Sequence, residues 1–168
     1  DLSSIYDQFV DTVTEDSSEE NHMISLVNSR ARLRMTTLYY YAQLHSYLVV
    51  GTGNKVEDFG IGFYTKYGDG GVDISPIADL LKSEVFALGE SLRVIEDILT
   101  AAPTDGLWND NRSDEDQIGA TYAELEWAMS YDGPHSELNG RQQKVVEIYA
   151  RLNSANTHKM IPVPVCEI

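Results

Sequence analysis

The sequence predicts an α/β protein whose helices cover a parallel sheet, and three observations carry that expectation. A strongly periodic helix leads into a short apolar run, a long glycine-rich loop follows the run, and three further amphipathic segments come after the loop. In the first helix Ile24, Val27, Ala31, Met35, Leu38 and Ala42 recur at three- and four-residue steps. It is expected to be the longest helix, and acidic Thr14 to Asn21 before it reads as an exposed turn. Tyr47 to Val50 is rich in strand formers and is closed by Gly51-Thr52, as suits a buried parallel strand. Ligands of open α/β sheets collect beyond the carboxyl ends of strands, which points to the loop Gly51 to Ser75.

Ser75-Pro76 reads as a helix start, with Ser as N-cap, Pro at the first helical position and a stripe of Ile77, Leu80, Leu81, Val85 and Leu88. Ser113 and Asp116 form a capping-box pattern before a helix carrying Ile118, Tyr122, Leu125 and Met129. Gln142 to Leu152 is a third segment, and Pro162-Val163-Pro164 cannot be helix interior. Only one confident strand accompanies these helices, so the rest of the sheet is expected to lie outside them. Asp1 opens directly into the half-apolar stretch Leu2, Ile5, Phe9, Val10 and Val13, which reads as a cut within a domain.

The 168 residues fit one domain, and 42% hydrophobic with 23% charged residues is the composition of a folded chain. Its 27 acidic against 12 basic residues give a net charge of −15, a field that repels nucleic acid but leaves room for local cations on a small phosphorylated ligand. The single Cys166 excludes an internal disulfide, and no apolar run approaches the length of a membrane-spanning helix. These features predict a soluble, cytoplasmic protein without a membrane or nucleic-acid partner.

By itself Gly51-Thr52 is an ordinary turn, and Gly68-Asp69-Gly70-Gly71 suits any tight loop. Together they are sharper, because Gly51-Thr52, Glu57, Phe63-Tyr64-Thr65-Lys66-Tyr67-Gly68-Asp69-Gly70-Gly71 and Asp73 fall in order within one loop. Asn28, Ala31-Arg32 and Arg34-Met35 precede that run, and Lys82, Pro103-Thr104, Ser113-Asp114-Glu115 and His158-Lys159 follow it. This pattern closely resembles the ammonia-dependent NAD+ synthetase family, from about Asn28 to Lys159.

The resemblance implies a parallel-sheet domain of the adenine nucleotide alpha hydrolase-like, N-type ATP pyrophosphatase class. Residues 1–168 would be the carboxyl-terminal part of the synthetase domain, helix-rich and lacking the amino-terminal strands. It implies two half-reactions: the nicotinic acid carboxylate of deamido-NAD+ attacks the α-phosphorus of ATP, pyrophosphate leaves, and ammonia attacks the adenylated carboxyl carbon to give NAD+ and AMP. A departing pyrophosphate needs Mg2+ and cations to neutralise it.

By the same resemblance Glu57 is a Mg2+ ligand, and Thr52, Lys82 and Thr104 bind ATP, which acts as co-substrate. Arg32, Lys66, Asp73, His158 and Lys159 contact deamido-NAD+, and Asp69 recognises and deprotonates ammonium. The family's placement of the dinucleotide site implies a homodimer, toward which Tyr39, Tyr40 and Tyr41 would contribute aromatic surface.

Several of these residues also have a plain alternative: a solvated acid for Glu57, an exposed helical charge for Lys82, turn or cap roles for the threonines, and a solvated helix face for the arginines. Arg30 and Arg34 share one face of their helix, whereas Arg32 lies nearly opposite beside Asn28, so the three cannot meet one ligand together.

Two departures from the family pattern stand out. Its Ser-Gly-Gly-x-Asp-Ser loop does not occur in these residues, so catalysis by this chain alone is not expected. Between Glu57 and Lys66 the chain is one residue longer than the commoner pattern. The alternative reading is a non-catalytic nucleotide-binding fragment or regulatory module.

Overall fold

The computed structural model describes residues 1–13, 19–104, 106–108 and 112–167. The chain forms two compact units, one of Asp1–Gly51, Tyr64–Ser75 and Gly106–Asn109, the other of Thr52–Phe63, Pro76–Asp105 and Asp110–Ile168.

In the first unit, helix α1 (Ser3–Thr12) packs against the longest helix, α2 (Glu19–His45). Residues 19–21 of the expected acidic turn are therefore helical, and 14–18 lie outside the described residues. The apolar stripe of α2 is narrower than its periodicity predicts. Ala31 and Ala42 are buried, but Ile24 and Leu38 are exposed.

Small residues mark the buried line because a loop lies directly on the helix. A Cβ at Gly68 would stand 2.9 Å from the Ala31 Cβ, and one at Gly71 would stand 3.0 Å from Met35 Cγ. Both distances are inside the ordinary carbon–carbon contact distance.

Tyr47 to Val50 does not form the buried strand expected. Val50 makes an isolated parallel bridge to Ile74, and no longer strand occurs among the described residues. Val49 is buried, while Tyr47 is 71% exposed and Leu48 and Val50 are exposed as well. The bridge is held by Gly51 N donating to Ile74 O (2.7 Å) and Asp73 N donating to Val49 O (2.9 Å).

The second unit is built around Val56, Ile61, Ile118, Tyr122, Leu125, Val145 and Ile148. They come from a π-helix (Val56–Ile61), α5 (Asp114–Ile118), α6 (Tyr122–Ser130) and α7 (Gly140–Met160). The π-helix lies within the loop Gly51 to Ser75 that the sequence singles out.

The helix expected from Ser75-Pro76 starts later, as α3 (Lys82–Ser91), followed by α4 (Glu96–Leu99). Residues 76–79 form turns, and the cap is the Glu84 carboxylate, which accepts from Leu81 N at 2.8 Å. The single helix expected after Ser113 is two helices. Gly119, at φ +84°, ends α5, and Thr121 caps α6 in a reciprocal box with Glu124.

Helix α7 exceeds the expected Gln142 to Leu152 because its last turns are anchored by polar groups. Asn153 Nδ2, Asn156 Nδ2 and Lys159 Nζ, spaced three apart, donate to the carbonyls of Gly60 (2.8 Å), Ile61 (2.9 Å) and Gly62 (2.9 Å). These carbonyls end the π-helix and have no helical donor of their own. Among the described residues no helix is long and apolar enough to cross a membrane.

Candidate functional site

The second unit concentrates the residues expected to handle phosphate and metal. Asn54 begins the arrangement. Buried, it accepts through Oδ1 from Val56 N (3.0 Å) and Glu57 N (3.1 Å), while Glu57 Oε2 accepts from Asn54 N (3.2 Å). This reciprocal cap fixes the start of the π-helix and therefore the Glu57 side chain. The spacing Asn-x-x-Glu, inside a stretch the sequence reads as loop, is the signal for it.

The other Glu57 oxygen is crowded. Oε1 accepts from Lys82 Nζ at 3.0 Å and from the Tyr122 hydroxyl at 2.5 Å. The Lys82 and Glu57 side chains retain 21% and 15% exposure, so their ion pair is less screened by water than a surface pair.

Lys82 also lies over the Tyr122 ring, 4.6 Å from its centre, and Asp114 Oδ2 stands 3.3 Å from the same hydroxyl. Burial first, then the Glu57 and Asp114 carboxylates, push the Tyr122 phenol far above its ordinary pKa. It therefore stays a protonated donor. Tyr122 read as a core residue from periodicity, and nothing in the sequence announced its hydroxyl contact 65 positions away.

Thr52 and Thr104 are exposed. Thr52 is two residues ahead of Asn54, and Thr104 follows Pro103, whose carbonyl accepts from Asp114 N at 3.0 Å. His158 is exposed in the last turn of α7, with Nδ1 3.2 Å from Ala155 O. Lys159 spans to the Gly62 carbonyl, the residue closing the π-helix that carries Glu57.

The first unit holds the remaining expected residues around one loop. Arg32 Nε donates to Lys66 O at 3.3 Å. Arg30 and Arg34, on the other face, donate to Leu107 O (2.6 Å) and Gly106 O (3.3 Å). The split among the arginines therefore stands as helical geometry predicts.

Asp69 Oδ1 accepts from Thr65 N at 2.9 Å, and Thr65 Oγ1 donates to Asn28 Oδ1 at 2.6 Å, tying the loop to α2. Tyr67 holds a left-handed φ of 63° beside Lys66, a conformation uncommon outside glycine. Asp73 spends both oxygens on structure, Oδ1 on the Tyr39 hydroxyl (3.0 Å) and Oδ2 on Val49 N (2.8 Å). Of the three tyrosines of α2, Tyr39 thus turns to Asp73, while Tyr40 and Tyr41 are exposed.

A hard divalent cation that keeps waters and takes phosphate oxygens needs only one or two protein carboxylates. Glu57 and Asp114, both approaching the Tyr122 hydroxyl, provide that kind of donor set. Among the described residues no group of three or more His, Cys, Asp or Glu side chains could hold a metal by itself. Such a pair suits a hard divalent cation that completes its shell with water and phosphate oxygens.

The family model for NAD synthase matches residues 1–162. The chain is 38% identical over 159 residues to the NH(3)-dependent NAD(+) synthetase of Carboxydothermus hydrogenoformans, covering 94% of this chain and 61% of that protein. Against the same enzyme of Methanococcoides burtonii it is 42% identical over 139 residues, covering 79% and 52%. The chain thus spans little more than half the length of these relatives.

Among solved structures, the NMN synthetase of Francisella tularensis matches with a TM-score of 0.85 at 32% identity, over 99% of this chain and 65% of that one. The NH3-dependent NAD synthetase of Campylobacter jejuni matches with a TM-score of 0.73 at 26% identity, over 99% and 64%. The fold is that of NAD and NMN synthetases, the nucleotide alpha hydrolase fold, here helix-rich.

Proposed function

The chain belongs to the NAD synthase family, and from that premise we propose that its protein forms NAD+ by ATP-driven amidation of deamido-NAD+ with ammonia. The observation that carries this reading is the Glu57–Lys82–Tyr122 cluster, which brings together the carboxylate assigned here to the metal and the cation assigned to phosphate. The 168 residues are read as the carboxyl-terminal part of the synthetase domain. The parallel bridge Val50–Ile74 is then one rung of a larger parallel sheet, in keeping with the exposed apolar side chains of Leu48 and Val50.

In the first half-reaction Glu57 would hold Mg2+, which when bound neutralises charge on the triphosphate and the departing pyrophosphate. Lys82 meets the phosphates from the first turn of α3, with the Thr52 and Thr104 hydroxyls as further ATP contacts. Arg32, Lys66, Asp73, His158 and Lys159 are assigned to deamido-NAD+, whose two phosphates and carboxylate call for cations and whose ribose hydroxyls call for an acid. Asp73 accepts one bond at each oxygen, from Tyr39 and from Val49 N, which leaves each a lone pair for a ribose hydroxyl. In the second half-reaction exposed Asp69 accepts hydrogen bonds from ammonium and takes its proton.

The active protein is read as a cytoplasmic homodimer. Exposed Tyr40 and Tyr41, with Tyr41, His45 and Tyr47 stacked in sequence along one surface, supply aromatic area suited to an interface. The match to an NMN synthetase favours a second reading, in which the mononucleotide rather than the dinucleotide is the amidated substrate.

The test uses the intact protein and follows pyrophosphate and amide product separately, with the dinucleotide and mononucleotide acids supplied in competition. Glu57→Gln is expected to depress pyrophosphate release. Asp69→Asn should leave a pyrophosphate burst while product release slows and adenylate accumulates. Equal loss of both steps in both variants rejects the division of roles. Exclusive turnover of the mononucleotide selects the second reading.

A further inference from the structure

Resting on the reading of Glu57 as a magnesium ligand, we propose that Tyr122 is a positioning residue that dictates which oxygen of Glu57 faces the cation. Its hydroxyl has one proton, and two carboxylates lie near it: Glu57 Oε1 at 2.5 Å and Asp114 Oδ2 at 3.3 Å. The shorter approach assigns the proton to Glu57. Lys82 Nζ donates to the same Oε1 at 3.0 Å, so that oxygen carries two donors. Among the described residues Oε2 accepts one 3.2 Å bond, from a backbone N–H, and it is the oxygen with lone-pair capacity left for a hard cation.

Tyr122 governs both donors. Its ring lies beneath the Lys82 ammonium, 4.6 Å from centre to nitrogen, so the ring that aims the hydroxyl also seats the lysine. The residue is itself held from several sides. It is the first residue of α6, whose cap at Thr121 is locked to Glu124, and Glu124 is paired with Arg141 at 2.6 Å. Its own N–H donates to Glu115 Oε1 at 2.8 Å, and its ring is buried in the core with Leu125 and Val145. Partners that orient a ligating carboxylate in this way tune metal affinity without touching the metal.

The test compares Tyr122→Phe and Glu57→Gln in the intact protein. Phe keeps the ring and its packing and removes only the hydroxyl, and a cooperative melting transition checks that the fold survives. Mn2+ binding is read by water-proton relaxation with a non-hydrolysable ATP analogue present. The Mg2+ and ammonia concentrations for half-maximal product formation are read alongside.

In Tyr122→Phe the Mn2+ dissociation constant and the Mg2+ requirement are expected to rise together, by about tenfold, while the ammonia requirement stays put. Wild-type Mn2+ affinity in Tyr122→Phe, with weakened affinity in Glu57→Gln, overturns the positioning role and leaves Glu57 assigned. Wild-type affinity in Glu57→Gln overturns the ligand reading and this inference with it. A matching rise in the ammonia requirement, the mark of general damage, also counts against Tyr122.

Discussion

Placing a single methyl group at residue 68 tests how tightly the loop that carries Lys66 and Asp69 is seated on α2. In Gly68→Ala the new carbon would stand 2.9 Å from Ala31 Cβ and 2.9 Å from both Cβ and Cγ2 of Thr65. Carbon atoms rest at about 3.5–4.0 Å, so each contact is short by about 0.6 Å or more. None of these atoms can swing away. Ala31 Cβ is fixed to the helix backbone, and Thr65 is buried with its hydroxyl bonded to Asn28.

Overpacking of this kind costs about 1–3 kcal/mol, and the lost freedom of the unfolded chain returns about 0.4–1 kcal/mol. Three contacts at 2.9 Å with rigid atoms place the cost in the upper part of that range, so the expected net loss is about 1–2.5 kcal/mol, read as a lower urea midpoint at unchanged slope. Ala31→Gly removes one of the rigid contacts and costs about 1 kcal/mol through helix propensity. Combining the two should therefore destabilise by less than their sum, by at least about 0.5 kcal/mol. Undiminished stability of Gly68→Ala, or strict additivity, would refute the close packing of loop and helix.

Two more expectations concern the second unit. Leu125 is fully buried in its core, so Leu125→Ala should lower stability by about 2–5 kcal/mol in denaturant unfolding, against a negligible change at exposed Ala123. The Arg141 guanidinium holds the Glu124 carboxyl down at about 2, from an ordinary value of 4.5. A depressed folded value means that the pair's stabilisation is present above pH 4.5 and drains away as pH falls toward 2. Glu124→Gln should flatten that part of the acid limb of a thermal-melt series, and an unchanged limb would contradict the assignment.

Local chemistry made part of this protein legible. The long periodic helix became α2, and the Ser113 and Asp116 pattern became a real capping box, because periodicity and caps involve residues a turn apart. The Arg30/Arg34 split from Arg32 followed from helical geometry alone. Where local signals competed, they misled. Ser75-Pro76 looked like a helix start, but the Glu84 carboxylate at Leu81 N set the start of α3 instead. Gly119 divided what periodicity joined, because its left-handed φ of 84° ends α5 and Thr121 starts α6 with a cap of its own.

The chain by itself therefore determined the longest helix, the cap at Ser113, the acidic character and the ordered motif that resembles its family. Only the tertiary structure decided what the motif residues touch. Glu57 meets Lys82 and Tyr122 across 25 and 65 positions, Asp73 turns both oxygens to Tyr39 and Val49, and Lys159 reaches back 97 positions to Gly62. Such contacts depend on how separate segments pack, and the one-dimensional pattern holds their residue types without their distances. For the same reason Tyr47 to Val50 could show strand propensity and still form only one bridge, because a strand exists through its non-local partner.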